Sequence, residues 1–139
     1  MNLGGNLGGS LLDELERIGP DDVAAIEISS YQLEHLGQPP ASARPAEAVA
    51  LTSLLDDHLD RHGGREGYAA AKRRLLELVA PSGRAFLPEH LAHTPAWRSA
   101  APADLVPFPS EGPARDAWPE LEAWAAAPFQ RANAALALE

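Results

Sequence analysis

Cysteine is absent from the 139 residues. Disulfides, a thiolate nucleophile and zinc–thiolate coordination are therefore excluded, and a reducing compartment suits the chain. Cationic residues are scarce: 11 Lys and Arg stand against 20 Asp and Glu, for a formal net charge of −9, and no basic run occurs. A surface of that sign repels nucleic acid and anionic lipid, so neither is expected as a partner, and a polyanionic substrate would have to be met by local charges. No apolar run approaches the length of a membrane span, and the first residues lack the charged and apolar regions of a signal peptide; a soluble, cytoplasmic protein with no membrane partner is expected. The early glycines match neither a Gly-Lys-Ser/Thr phosphate loop nor GxGxxG. No internal repeat is present.

What is there is an ordinary globular composition, 45% apolar and 22% charged, enough for one domain with a core. Gly4, Gly5, Gly8 and Gly9 surround Asn6 and read as a loop that lets backbone approach a ligand, with no strand ahead to anchor it. Ser10 and Asp13 form a weak capping box for a short helix with an apolar face of Leu11, Leu12, Leu15 and Ile18, stopped at Gly19-Pro20. Residues 23–28 are apolar and partly β-branched, apart from Glu27, and predict a buried parallel strand. A carboxylate there is costly unless paired or bound to metal, and the carboxyl ends of strands in open α/β sheets are where ligands bind. Ser29 and Ser30 read equally as site hydroxyls or as the N-cap of a short helix over 31–36. After a proline-bearing connection at 38–45, a second strand over 48–52 is expected. A strand–helix–strand unit of this kind brings the polar clusters after both strands to one sheet edge.

The second cluster is Asp56-Asp57-His58-Leu59-Asp60-Arg61-His62, closed by Gly63-Gly64. Its carboxylates and imidazoles are hard oxygen and borderline nitrogen donors that suit a divalent cation. A charged loop ahead of an amphipathic helix is, however, more often a solvated connection. The helix expected over 65–79 has an apolar stripe of Tyr68, Ala71, Leu75, Leu78 and Val79, and Lys72 lies along that stripe or at its edge. A lysine in such a place ordinarily snorkels, while Arg73 and Arg74 rotate away and read as solvated cations. Further strands are expected at 84–87 and 104–108, with His90 and His93 on the surface. Pro107, Pro109 and Pro113 mark another loop. A helix over 117–126 aligns Trp118, Leu121, Trp124 and Ala125, and Pro128 opens an alanine-rich helix with Gln130 and Asn133 one turn apart. The fold class is α/β, a mostly parallel sheet with flanking helices.

Four segments in order carry a resemblance to a known family. Gly4-Gly5-Asn6-Leu7-Gly8, Glu27-Ile28-Ser29-Ser30-Tyr31-Gln32-Leu33-Glu34, Asp57-His58-Leu59-Asp60-Arg61-His62 and Tyr68-Ala69-Ala70-Ala71-Lys72 together look like the central domain of the Mur ligases, a P-loop NTPase-like fold. Within that family the chain most resembles the branch that joins D-glutamate to UDP-N-acetylmuramoyl-L-alanine in peptidoglycan synthesis. The match is good from Leu3 to about Leu78, poor from Pro81 to Pro128, and resumes faintly at Arg131-Ala132-Asn133-Ala134-Ala135. The resemblance implies an ATP-dependent, ADP-forming amide ligase working through an acyl phosphate, a monomer when complete. It implies two Mg²⁺ ions, with Glu27 on the first and His58 on the second, and a carbamylated Lys72 as an anionic oxygen ligand. Lys72 and His58 are the expected catalytic residues. Asn6, Ser29 and Gln32 are the expected contacts to the muramoyl-alanine substrate, and Asn133 lies near the adenine of ATP.

The departures bear on this expectation. The family's phosphate loop, expected just ahead of Asn2, is absent, as are the uridine-binding and D-glutamate-bringing domains. The chain is therefore expected to be a partial central domain, inactive alone and poorly soluble through exposed sheet edges. Ser53 stands at the family's usual Asn, Asp56-Asp57-His58 at its Pro-Asp-His, and Phe129-Gln130 at its His-Asn. Two other readings stay open: a degenerate Mur-like domain that binds without catalysis, and a metal-dependent hydrolase built on Glu27, Asp57, His58 and Asp60.

Overall fold

The computed structural model describes residues 2–6, 10–37, 43–56, 58–101 and 104–109. Every strand among them pairs in parallel. β1 (Asn2–Gly5) runs beside β2 (Ala24–Glu27), with Asn2 opposite Ala24 and Gly5 opposite Glu27. β3 (Ala46–Ala50), β4 (Val79–Pro88) and β5 (Asp104–Phe108) form a second sheet in that order. Parallel neighbours need long crossovers, and in the second sheet helices fill them: α2 (Arg65–Arg73) lies between β3 and β4, and α3 (Glu89–Ala92) with α4 (Pro95–Arg98) between β4 and β5, while α1 (Ser30–His35) follows β2 on the way from the first sheet to the second. The expected α/β class of parallel sheets and flanking helices is what the chain adopts.

The core sits on the second sheet. Val49 and Leu51 from β3 and its end, Ala85 and Leu87 from β4, Leu76 and Val79 from the crossover, and Leu91, Ala92 and Trp97 from α3 and α4 form one buried cluster. β4 supplies alternate residues to it, as a strand with one face inward must. The helix expected over 65–79 stops short. It ends at Arg73 and tightens into a 3₁₀ turn over Arg74–Glu77 before β4 begins. At three residues per turn the 3.6-residue stripe is lost, so Leu76, which lies off that stripe, becomes fully buried while Leu75 and Leu78 are only partly so.

Other expectations give way near the start. Asn2–Gly5 is a strand, not a loop, and Gly5 has φ of 125° with a position where a Cβ would stand 2.0 Å from the Glu27 carbonyl oxygen. Glycine is needed there for contact between strands. The expected helix after Ser10 is a single 3₁₀ turn, Leu11–Glu14, capped by the Ser10 hydroxyl accepting from the Leu12 N–H, and Leu12 and Leu15 face solvent. β2 is parallel as expected but not buried: Val23 is 61% exposed and Ile26 59%, because β1 is its one paired strand among the described residues. β2 and β3 lie in different sheets, so the two polar clusters do not share a sheet edge. His90 and His93 are exposed, as expected. No helix among the described residues is long and apolar enough to cross a membrane. The helices expected at 117–126 and after Pro128, with Asn133, lie outside the described residues.

Leu87 is fully buried at the centre of the cluster. Leu87→Ala is expected to cost about 2–5 kcal/mol of stability through the cavity it leaves, read as a lowered urea midpoint with unchanged slope.

Candidate functional site

The site grows outward from α1. Ser29 is its N-cap, and its hydroxyl accepts from the Gln32 N–H while Gln32 Oε1 accepts from the Ser29 N–H at 2.9 Å and from the Ser29 hydroxyl at 3.0 Å. This closed capping box satisfies donors that a helix start leaves open. It also settles which serine caps: Ser30 is buried and turned elsewhere. Gln32 Oε1 is thus occupied, and what Gln32 has to offer a ligand is its NH₂. At the other end, Arg74 Nη1 donates to the Glu34 carbonyl at 2.6 Å and Nη2 donates to the Leu36 carbonyl. Arg74, expected to be a solvated cation, instead fastens the C-terminal carbonyls of α1, where a positive charge also complements the helix dipole.

His62 occupies the seam between α1 and α2, and sequence reasoning placed it only among loop donors. Its residue exposure is 8%. Its Nε2 lies 3.1 Å from the Ser30 hydroxyl, and its Nδ1 lies 3.2 Å from Glu34 Oε2. The second contact is within ion-pair reach yet off line for a hydrogen bond, so it is electrostatic. Tyr31 stacks on His62 with centroids 5.2 Å apart, and Tyr68 of α2 meets it at 5.4 Å in a tilted arrangement. α2 comes this close only because residue 67 is glycine: a Cβ there would stand 1.8 Å from the His62 carbonyl oxygen.

The expected catalytic residues stand at the two ends of this cluster. His58 is exposed, and its ring lies 5.1 Å from that of Tyr31. Its φ of 52° is a left-handed conformation that costs a non-glycine residue roughly 1–2 kcal/mol; such strain gathers at functional sites. Arg61 covers the Tyr31 ring at 5.1 Å, and Arg65 pairs with Asp56 at 3.0 Å. Lys72 is half-buried, as its place on the stripe predicted. Its Nζ donates to the Ser53 carbonyl, just past β3, at 3.3 Å and lies 5.2 Å over the Tyr68 ring. Rings and cations therefore run in an unbroken row, His58–Tyr31–His62–Tyr68–Lys72.

Glu27 and Asn6 form a separate pair at the ends of β2 and β1, where the Asn6 N–H donates to the Glu27 carbonyl at 2.9 Å. Both residues are exposed. Among the described residues no three His, Cys, Asp or Glu side chains converge as a metal cage; Asp57, which belongs with Glu27, His58 and Asp60 to the set expected of a hydrolase, lies outside the described residues. Mg²⁺ asks for less: it is commonly held by one or two carboxylates with waters and substrate phosphates. A solvent-facing carboxylate at a strand's end, such as Glu27, fits that demand. Lys72 fits only in altered form, because an ammonium repels the ion.

These features define an α/β domain of parallel sheets whose polar groups gather after strand ends and on the following helix. The Mur ligase middle domain family matches residues 10–126, most of the chain, and the chain belongs to that family. Among its relatives is the UDP-N-acetylmuramoylalanine--D-glutamate ligase of Pelotomaculum thermopropionicum, 45% identical over 85 residues that cover 61% of this chain and 18% of that protein. The ligase of the same name from Chloroherpeton thalassium is 38% identical over 110 residues, 73% of this chain and 22% of the relative. That of Dinoroseobacter shibae is 38% identical over 125 residues, 84% and 25%. The matched stretch thus covers a quarter or less of each relative.

Two outcomes are expected from the seam. Gly67→Ala, which forces α2 off the His62 carbonyl, should lower stability by about 1–3 kcal/mol in a denaturant titration. Neutral His62 should carry its proton on Nδ1 in ¹⁵N imidazole spectra, since a lone pair there would face the Glu34 carboxylate; a proton on Nε2 would contradict the arrangement.

Proposed function

We propose that this chain is the ATP-binding middle portion of an amide ligase that joins D-glutamate to UDP-N-acetylmuramoyl-L-alanine in cytoplasmic peptidoglycan synthesis. The relatives' shared name supports the substrates. The observation that carries the reading is the half-buried Lys72, set at the end of β3 and joined through a row of rings to His58. The complete ligase is a monomer in this reading. This chain alone does not ligate, and other segments bring the uridine nucleotide, D-glutamate and the phosphate loop.

The chemistry requires an activated carboxylate. A phosphoryl group passes from ATP to a carboxylate oxygen of the substrate's alanine, leaving ADP. The neutral amine of D-glutamate then attacks the carbonyl carbon, the C–N bond forms, and inorganic phosphate departs with the oxygen as the amine loses its proton. Mg²⁺, when bound, supplies the positive charge that neutralises the phosphate oxygens, which an acidic chain lacks. Glu27 would hold the first ion and His58 the second. Lys72 joins them as a carbamate: its neutral amine adds to CO₂, a proton leaves, and a cation becomes an anionic oxygen donor. The carbamate nitrogen keeps one N–H, so the Ser53 carbonyl contact is compatible with it, whereas the ammonium contact with Tyr68 is given up. Asn6, Ser29 and the NH₂ of Gln32 line the muramoyl-alanine side, and Asn133 serves the adenine.

In the complete ligase, Lys72→Ala is expected to lower turnover by about 10- to 100-fold, the scale of losing a group that tunes a metal site, with partial rescue by acetate or another short carboxylate. Steady-state kinetics with and without the carboxylate measure this. Undiminished turnover of the variant rules out the carbamate.

A further inference from the structure

Ser30, His62 and Glu34 are spaced like a nucleophile, its base and the acid that orients the base. Access decides against that use. The His62 side chain is 1% exposed, Ser30 is buried, and the rings of Tyr31 and Tyr68 lie against the imidazole, so no carbonyl carbon reaches the hydroxyl. What the arrangement does is fix the angle of one imidazole. The hydrogen bond between Nε2 and the Ser30 hydroxyl and the Glu34 carboxylate beside Nδ1 both come from α1, and together they restrict rotation of the ring. The rings stacked on it inherit that angle. Tyr31 in turn meets His58 on its loop, and Tyr68 lies under the Lys72 ammonium on α2.

We propose that His62 is a positioning residue for both His58 and the uncarbamylated Lys72 amine, acting on the first through Tyr31 and on the second through Tyr68. This gives the closing residue of the Asp57–His62 segment a task of its own, distinct from metal ligation. The two groups reside on a loop and a helix that no strand joins directly, and each ring contact taken alone is weak. A row of such contacts holds them only if its middle member is rigid, and the polar anchors on α1 make it so. The inference rests on the ligase reading for what His58 and Lys72 do, though not for how they are held.

The test uses the full chain, labelled for NMR, as wild type, His62→Ala and Ser30→Ala. Nuclear Overhauser contacts between the Tyr31 ring and the His58 C–H protons report one end of the row. The ring-current shift of the Lys72 Cε protons over Tyr68 reports the other. In His62→Ala, at a temperature where circular dichroism matches the wild type, loss of the His58 contacts together with loss of the Lys72 shift is expected. A residue that merely stabilises the seam would lower the melting temperature and leave both signals in place, and that result overturns the proposal. Should His62→Ala not fold, Ser30→Ala decides: it removes one anchor and no ring, and unchanged signals at both ends overturn the proposal equally. Line broadening by Mn²⁺, used in place of Mg²⁺ and with ATP present, is recorded on the complete ligase at Glu27 and His58. Its absence would defeat the ligase reading while leaving the positioning result to stand or fall by itself.

Discussion

The attachment of α1 to α2 is the constraint on which the candidate site depends. A helix of six residues has no stability of its own in water, and α1 is closed at its start by its own cap and held from outside at its end and along one side. The capping box of Ser29 and Gln32 closes its start, Arg74 takes up its last carbonyls, and His62 grips Ser30 and Glu34 along one side. Leu33, buried to 2% exposure, completes the contact. Each attachment is modest, and together they hold α1 in the crossover between two sheets.

The same seam explains the form of α2. Gly67 lets the helix lie against the His62 carbonyl, and the tightening after Arg73 turns Leu76 inward while bringing Arg74 round to α1. A uniform α-helix over that span would place the arginine and the leucine in other directions. Packing of the second sheet and fastening of α1 are thus served by one change of winding. The left-handed His58 sits at the rim of this arrangement, its ring beside that of Tyr31, which Arg61 covers.

In an acidic chain several of the cationic and imidazole groups share one stretch with the carboxylates of Asp56 and Asp60. Arg61, Arg65, His58 and Lys72 all belong to the loop after β3 or to α2. Glu27 and Asn6 stand apart at the ends of another sheet. The chemistry proposed for the chain needs these two groups to act on one substrate, with metal and phosphate between them.

Much of the organisation was legible in the residues alone. Parallel strands separated by helices, the strand at 104–108, the cap at Ser29 or Ser30, the half-buried Lys72 and the four ordered segments of the family follow from patterns local to each stretch, because periodicity, capping and motif spacing are short-range properties. Tertiary structure alone decided the rest. The burial of His62, the grip of Arg74 on α1, the pairing of Asn2–Gly5 with β2 and the exposure of Val23 and Ile26 depend on which distant segments meet. A histidine in a charged loop carries no mark of the serine 32 residues earlier that will hold it, and a strand's hydrophobicity does not say whether anything covers it.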